Sequence, residues 1–287
     1  MPLTLRFAVR SDKGLVRESN EDSVFAASHL LVVADGMGGH AGGEVASAAL
    51  VARMANIAPI GLGDDPSHAV LSGIAAGNED IARRIAERPE LEGMGTTVTS
   101  VLLTPDARFA VTNVGDSRTY LLRGGELSPL TRDDSLIQTL MDKGRISEAE
   151  AAVHPHRSVV TCAVVGSTQL APAVTLLPAA PGDRLLLCSD GLTDLVPYEE
   201  IARLLREPER ESVAGGLVEL ALRAGGSDNV TVIVADVVDE HMTDAEGFPT
   251  SAGQETQDAS RRGRRSLLLG GALVLVAGVC CLLLLWG

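Results

Sequence analysis

The sequence predicts an α+β domain of antiparallel strands and helices, followed by one membrane-spanning helix. Three observations carry that expectation. Short apolar runs recur between residues 1 and 238, several of them closed by an aspartate and a glycine. Two longer segments, Gly43 to Ile57 and Ser67 to Arg88, carry apolar residues at helical spacing. Further on, Leu267 to Trp286 holds no charged residue at all.

The 287 residues are 45% hydrophobic, enough for one sizeable domain plus an appendage. Only 2% are aromatic, so Ala, Leu and Val must fill the core. A formal net charge of −14, with no basic patch interrupting the acidic background, argues against nucleic acid as a partner. Cys162 and Cys188 lie in the globular part and Cys280 and Cys281 in the apolar tail. They make no disulfide framework, which fits a reducing compartment. Met1 to Arg10 lacks a long apolar core, so no signal peptide is expected.

Thr4 to Arg10 alternates and reads as a first strand. Ser11 to Asp22 is a loop, Val24 to Ala27 a strand and Leu30 to Ala34 a buried strand. In the helix from Gly43, residues Val45, Ala48, Ala49, Ala52 and Ala55 form a small-residue face. The loop Ala58 to Pro66 precedes the second helix, whose buried face is marked by Ile74, Ile81 and Ile85, with Arg83, Arg84 and Glu87 outside. Thr96 to Thr104, Arg108 to Val114 and Thr119 to Arg123 read as an antiparallel meander, and Gly124-Gly125 as the next hairpin turn. Ser135 to Lys143 is helical in pattern, and Ser147 with Glu150 resembles a capping box opening a short helix. Pro172 to Leu177 and Arg184 to Cys188 are strands. Helices follow at about Pro197 to Arg206 and Glu211 to Arg223, and Asn229 to Val238 is the last strand.

Four aspartates stand at strand ends. Asp35 closes the run Leu30 to Ala34, Asp116 follows Phe109 to Gly115, and Asp190 follows Leu185 to Ser189, with Asp194 just beyond. Asp228 instead precedes its run, Val230 to Val234. In an antiparallel sheet the start of one strand lies beside the end of its neighbour, so all four can gather at one edge. Such a cluster repels itself unless cations neutralise it. Oxygen ligands without a His or Cys cluster point to Mg²⁺ or Mn²⁺ rather than Zn²⁺. His154 and His156 read as residues of an exposed loop, not as ligands. Taken alone, Asp35 and the glycines after it fit equally a strand–turn–helix corner with a capping aspartate.

Six strings occur in one order: Arg17-x-x-Asn20-Glu21-Asp22, Asp35-Gly36-Met37-Gly38-Gly39-His40, Gly95-Thr96-Thr97, Gly115-Asp116-Ser117-Arg118, Ser189-Asp190-Gly191-Leu192-Thr193-Asp194 and Asp228-Asn229-Val230-Thr231. Together they resemble the bacterial PP2C-type metal-dependent protein serine/threonine phosphatases, over roughly residues 1 to 238. The resemblance implies an α-β-β-α sandwich, two antiparallel sheets flanked by helices. It implies hydrolysis of phosphoserine or phosphothreonine by a water shared between two Mn²⁺ or Mg²⁺ ions, without a phosphoenzyme. By the same resemblance Asp35 bridges the ions, the Gly36 carbonyl serves one, and Asp190 and Asp228 serve the other. Asp22, a safer choice than Glu21, helps hold a metal-bound water, while Asp116, Asp190 and Asp194 are candidates for a weaker third cation. Arg17 is assigned to the phosphate, because a guanidinium grips two of its oxygens and stays charged.

Where animal members of that family place a candidate general-acid histidine, this sequence has Met37. His40 is the candidate proton donor, or else a structural residue of the glycine turn. Val153 to Ala163 matches the family's variable flap, with Ser158 and Cys162 where bacterial relatives often carry Asn and Arg. No Cys-x5-Arg loop is present. A phosphoprotein-binding pseudoenzyme and a phosphatase of partner-switching antagonists stay open as other readings.

Asp236 to Asp258 holds seven acidic residues and no Lys or Arg, and reads as disordered. Residues 239–265 are thus expected to be a linker with a basic end, and 266–287 a transmembrane helix. Leu267 to Trp286 would span roughly 30 Å, the thickness of a bilayer core. Arg261, Arg262, Arg264 and Arg265 place its N-terminal flank in the cytoplasm. The expectation is a monomeric catalytic domain tail-anchored at the inner face of the plasma membrane, with no extracellular sensor domain. Its expected partners are phosphoprotein substrates and a serine/threonine kinase whose work it reverses.

Overall fold

Strands and helices alternate in the computed structural model much as the apolar runs suggest. Residues 2–38, 42–57, 65–152, 154–167 and 170–240 are described. The order is β1 (Leu3–Asp12), β2 (Ser23–Ala26), β3 (Leu30–Ala34), β4 (Gly36–Met37), α1 (Gly42–Ala55), α2 (Pro66–Glu87), β5 (Gly95–Thr96), β6 (Val98–Leu103), β7 (Arg108–Val114), β8 (Arg118–Arg123) and β9 (Glu126–Pro129). Then come α3 (Leu136–Asp142), α4 (Glu148–Ala152), β10 (Val174–Pro178), β11 (Arg184–Cys188), α5 (Asp190–Thr193), α6 (Tyr198–Leu205), α7 (Arg210–Arg223) and β12 (Val230–Asp239).

Local chemistry explains several boundaries. The Asp65 carboxylate accepts from the N–H groups of Ser67 and His68, and Pro66 opens α2 where its missing N–H does no harm. Ser147 and Glu150 form the capping box: Ser147 N–H donates to Glu150 Oε2 at 2.8 Å, and Glu150 N–H to Ser147 Oγ at 3.4 Å.

Two five-stranded antiparallel sheets face each other, one ordered β1-β12-β11-β8-β9 and the other β10-β7-β6-β3-β2. Side-chain alternation along the strands divides the apolar residues among three layers. Leu31, Val33, Val111, Leu185, Leu187 and Ile233 meet between the sheets. On the outer face of one sheet, Leu30, Val32 and Leu102 pack against Leu50, Met54, Ile74 and Ile81 of α1 and α2. On the outer face of the other, Leu186, Val232 and Val234 pack against Ile201, Leu217 and Ala221 of α6 and α7. The result is an α-β-β-α sandwich. Strands β3, β6 and β11 are buried along their whole length because both faces are covered, which is why they read as continuous apolar runs.

In α1, Ala46, Ala49, Leu50 and Met54 go inward while Ala48 and Ala52 are exposed, so the small-residue face is only partly buried. Two expectations need correction. The strand expected over Thr96 to Thr104 breaks at Thr97, whose N–H leaves the ladder to donate to Asp35 O at 2.8 Å. Thr96 pairs instead with Gly36, joining β5 to β4. Lastly, the four aspartates do not share one sheet. Asp35 and Asp116 follow β3 and β7, whereas Asp190 and Asp228 border β11 and β12 of the opposite sheet.

The registers bring Ser23 beside Ala34 and Val98 beside Val114 in one sheet, and Asp12 beside Val230 in the other. Thr99 and Thr119 join the two sheets by a buried hydroxyl pair 2.7 Å apart. No helix among the described residues is long and apolar enough to cross a membrane. The expected linker from residue 241 and the expected transmembrane segment lie outside the described residues.

Candidate active site

The backbone at the start of the site is held from several sides. Thr96 Oγ1 donates to Asp35 O at 2.8 Å, and Asp35 N–H donates to Thr97 Oγ1 at 3.0 Å. Thr97 Oγ1 lies 2.7 Å from Ser117 Oγ, so one hydroxyl ties the Asp35 turn to the Asp116 turn. A Cβ on Gly36 would fall 2.2 Å from Gly43 O, which leaves glycine as the residue that fits where the turn crosses the start of α1.

Across the site, Ser189 Oγ donates to Asp22 Oδ2 at 2.9 Å and accepts from Thr231 N–H at 3.0 Å. Asn229 holds the loop that carries Arg17: its Nδ2 donates to Lys13 O and Ser19 O, and its Oδ1 accepts from Glu21 N–H. The Arg17 guanidinium rests on Asp228, Nη2 to Oδ2 2.7 Å, at the mouth of the cleft.

These elements enclose an open cleft of about 620 Å³ lined by Arg17, Glu21, Asp35, Gly36, Thr97, Asp116, Ser158, Val160, Asp190 and Asp228, among others. Burial pushes the Asp35 carboxyl well above the usual carboxylate range, and Asp22, Asp190, Asp116 and Asp228 push it further. Asp190 is pushed up to about 8, first by burial and then by Asp116, Asp194 and Asp228. Asp22 and Asp116 rise to about 6, mainly through burial. Burial also raises Asp194, against the pull of Arg118 and Arg157.

One oxygen each of Asp22 and Asp190 is buried without a hydrogen-bond partner. Crowded, partly unsatisfied carboxylates of this kind suit hard divalent cations. An all-oxygen set with a backbone carbonyl, Gly36 O, is the chemistry of Mg²⁺ or Mn²⁺. Among the described residues no group of three acidic, His or Cys side chains is already placed to hold an ion.

Of the residues singled out in the sequence, Arg17, Asp35, Gly36, Asp116, Asp190 and Asp228 line this cleft, and Asp22 lies against it, bonded to Ser189. Asp194 lines a neighbouring cavity with Arg118, Asp133 and Arg157, and Arg157 Nε of the flap stands 3.7 Å from its carboxylate. Ser158 and Val160 bring the flap to the cleft wall. His40 lies outside the described residues. Sequence reading missed Asp133, buried and gripped by Arg118 through Nε and Nη2 at 2.9 and 2.6 Å. No motif marks Asp133. Arg118 lay within a quoted motif without a role, and so did Thr97, Ser117 and Ser189.

The sequence profile described as Protein phosphatase 2C matches residues 14–214. The chain belongs to the protein phosphatase 2C family. Within that family it is 51% identical over 237 residues to the serine/threonine protein phosphatase PstP of Mycobacterium tuberculosis, covering 83% of this chain and 46% of that protein. It therefore spans less than half the length of that relative. It is 33% identical to the serine/threonine phosphatase stp of Listeria monocytogenes, covering 79% of this chain and 94% of that one. Solved structures of the family agree. The crystal structure of PstP from M. tuberculosis superposes with a TM-score of 0.80 at 50% identity, covering 82% of this chain and all of that one. The PstP catalytic domain in complex with two manganese ions superposes at 0.78 and 49% identity, covering 83% and 100%.

Proposed function

We propose that this chain is a Mn²⁺- or Mg²⁺-dependent protein serine/threonine phosphatase. The observation that carries the reading is the set of aspartates, half-buried at Asp35, Asp190 and Asp228 and buried at Asp116, that line one cleft whose mouth holds a guanidinium. Asp35, the Gly36 carbonyl, Asp190 and Asp228 would hold two cations, and Asp116, Asp190 and Asp194 would hold a weaker third. The cations supply the Lewis acidity that generates a nucleophile from water and neutralises the phosphate.

The chain's own residues do the rest. Arg17, whose side chain is 54% exposed, is free to turn from Asp228 toward two phosphate oxygens. Asp22, anchored by Ser189 and left with one unpartnered oxygen, is assigned to ordering water at the site. Thr96 and Thr97 fix the Asp35 backbone, so that approach to phosphorus stays in line. His40 is the candidate proton donor to the departing serine or threonine oxygen, the alternatives being a metal-bound water as donor and a structural His40 at the glycine turn.

The M. tuberculosis relative is named a serine/threonine protein phosphatase, which supports phosphoprotein as the substrate class. Leu267 to Trp286 and its arginine flank support a membrane anchor that keeps the enzyme at the inner membrane face, opposing a serine/threonine kinase there. The test is Mn²⁺-dependent phosphate release from phosphoserine and phosphothreonine peptides. Asp35→Asn should lower turnover by about three orders of magnitude or more, because a neutral amide would be a far weaker ligand for divalent cations than a carboxylate. Near-normal turnover by a folded Asp35→Asn protein would sink the assignment.

A further inference from the structure

We propose that Asn229 is a positioning residue for Arg17, an inference that rests on the phosphatase reading above. Arg17 sits in the stretch Lys13–Glu21, which joins β1 to β2 across the mouth of the cleft. Burial does not hold this stretch: Leu15 and Val16 are 68% and 67% exposed, the most exposed of the large hydrophobic side chains described. Hydrogen bonds hold it, and one side chain makes three of them. Asn229 Nδ2 donates to Lys13 O at 2.9 Å and to Ser19 O at 2.8 Å, on either side of Arg17. Its Oδ1 accepts from Glu21 N–H at 2.8 Å.

The amide thus uses both donors and its acceptor on the one loop. One further hydrogen bond and one close backbone approach join the loop to the same strand entry. Leu15 N–H donates to Gly226 O at 2.7 Å, and a Cβ on Gly14 would fall 2.2 Å from Asp228 O. Smaller ties close the loop on itself, Gly14 N–H to Asp12 Oδ1 and Asn20 Nδ2 to Ser11 Oγ, both 2.8 Å. Neither reaches across to the aspartates that line the cleft.

Asn229 also follows Asp228 directly, and its own N–H donates to Asp228 Oδ1 at 2.8 Å, while Arg17 takes Oδ2. One residue therefore sets the distance between the phosphate-binding guanidinium and a carboxylate of the ion cluster. A charged hydrogen bond to phosphate weakens steeply when its donor is displaced by about 1 Å, so the loss falls on binding. Removing the amide leaves Asp228 in place, because the backbone N–H remains, and frees the crest that carries Arg17.

The experiment compares the full chain with Asn229→Ala, Arg17→Ala, the double variant and Asn229→Asp. Asn229→Asp keeps an acceptor for Glu21 N–H and loses both donors, so it carries the test if Asn229→Ala fails to fold. With Mn²⁺ and a phosphothreonine peptide, Asn229→Ala should raise KM about tenfold, the scale of a lost charged hydrogen bond, and change kcat by less than about threefold. On the Arg17→Ala background the same substitution should change KM by less than about twofold. Hydrogen exchange should show protection lost across residues 13–21 and kept in β1 and β12. Independent, multiplicative effects of the two substitutions would overturn the proposal. So would a raised Mn²⁺ half-saturation with KM unchanged, which would place the effect at Asp228, or an unchanged exchange pattern. A wild-type chain without phosphopeptide turnover would overturn the phosphatase reading, while the exchange result would still decide whether Asn229 holds the loop.

Discussion

Replacing Asp190 by Asn separates what the carboxylate cluster costs the fold from what it does for catalysis. The Asp190 carboxyl titrates at about 8 in the folded chain against 3.8 for an unperturbed aspartate. An acid raised in this way destabilises the fold progressively as pH climbs from its unfolded pKa through its folded one. The penalty is absent below about pH 4 and complete a little above pH 8. At pH 7.5 the full linkage, at about 1.4 kcal/mol per unit, is on the order of 5 kcal/mol. Water reaches the cleft and the neighbouring aspartates share the charge, which reduces the expected figure to about 2 kcal/mol.

Asparagine keeps the shape and drops the charge. In EDTA at pH 7.5, Asp190→Asn should melt about 4–8 °C above wild type, and the gap should close toward pH 4.5. With saturating Mn²⁺ the order should reverse, because wild type gains binding free energy that the amide cannot match. Scanning calorimetry under the two conditions reads both signs. A variant melting below wild type in EDTA at pH 7.5 refutes the claim that the cluster is a stability liability kept for its ions.

Other outcomes follow from particular contacts. Arg118→Ala strands the buried Asp133 carboxylate and should lower urea stability by about 3–5 kcal/mol, while Arg118→Ala/Asp133→Ala recovers a large part; additive losses would argue against the pair. If His40 is the general acid, His40→Ala should slow phosphoserine peptide far more than p-nitrophenyl phosphate, whose aryl oxide leaves without a proton. Equal losses would assign it to the glycine turn. A chain ending after Glu240 retains all of β12 and should be soluble with normal peptide turnover, whereas the full chain should sediment with membranes. Full-length protein in the soluble fraction would remove the anchor.

Most elements were legible because each apolar run is bounded by its own punctuation. Arg108 to Val114 and Arg184 to Cys188 have the limits expected, and Ser135, Ser147 and Asp65 cap helices through local hydrogen bonds that sequence spacing reveals. What escaped depends on partners distant in the chain. The pairing of Gly36 with Thr96 and the Arg118–Asp133 grip involve residues with no periodicity to announce them. The acidic residues round the site were readable as a cluster because an apolar run ending in aspartate recurs, at Asp35, Asp116 and Asp190. Their split across two sheets was not, because strand order is set by packing between runs that look alike. Arg17 was identifiable only through its motif; that it rests on Asp228 is a property of the folded loop.

Strand β12 lies between β1 and β11, so the chain's first strand is paired by its last described one, Leu3 opposite Asp239. During synthesis β1 must therefore wait, an open edge, until nearly the whole domain has left the ribosome. Asp228 and Asn229 arrive on that same late strand, and with them the hold on the Arg17 loop. A nascent chain that stops short of the entry to β12 lacks Asp228 and Asn229, so the lining of the cleft is complete only once the last strand is in place.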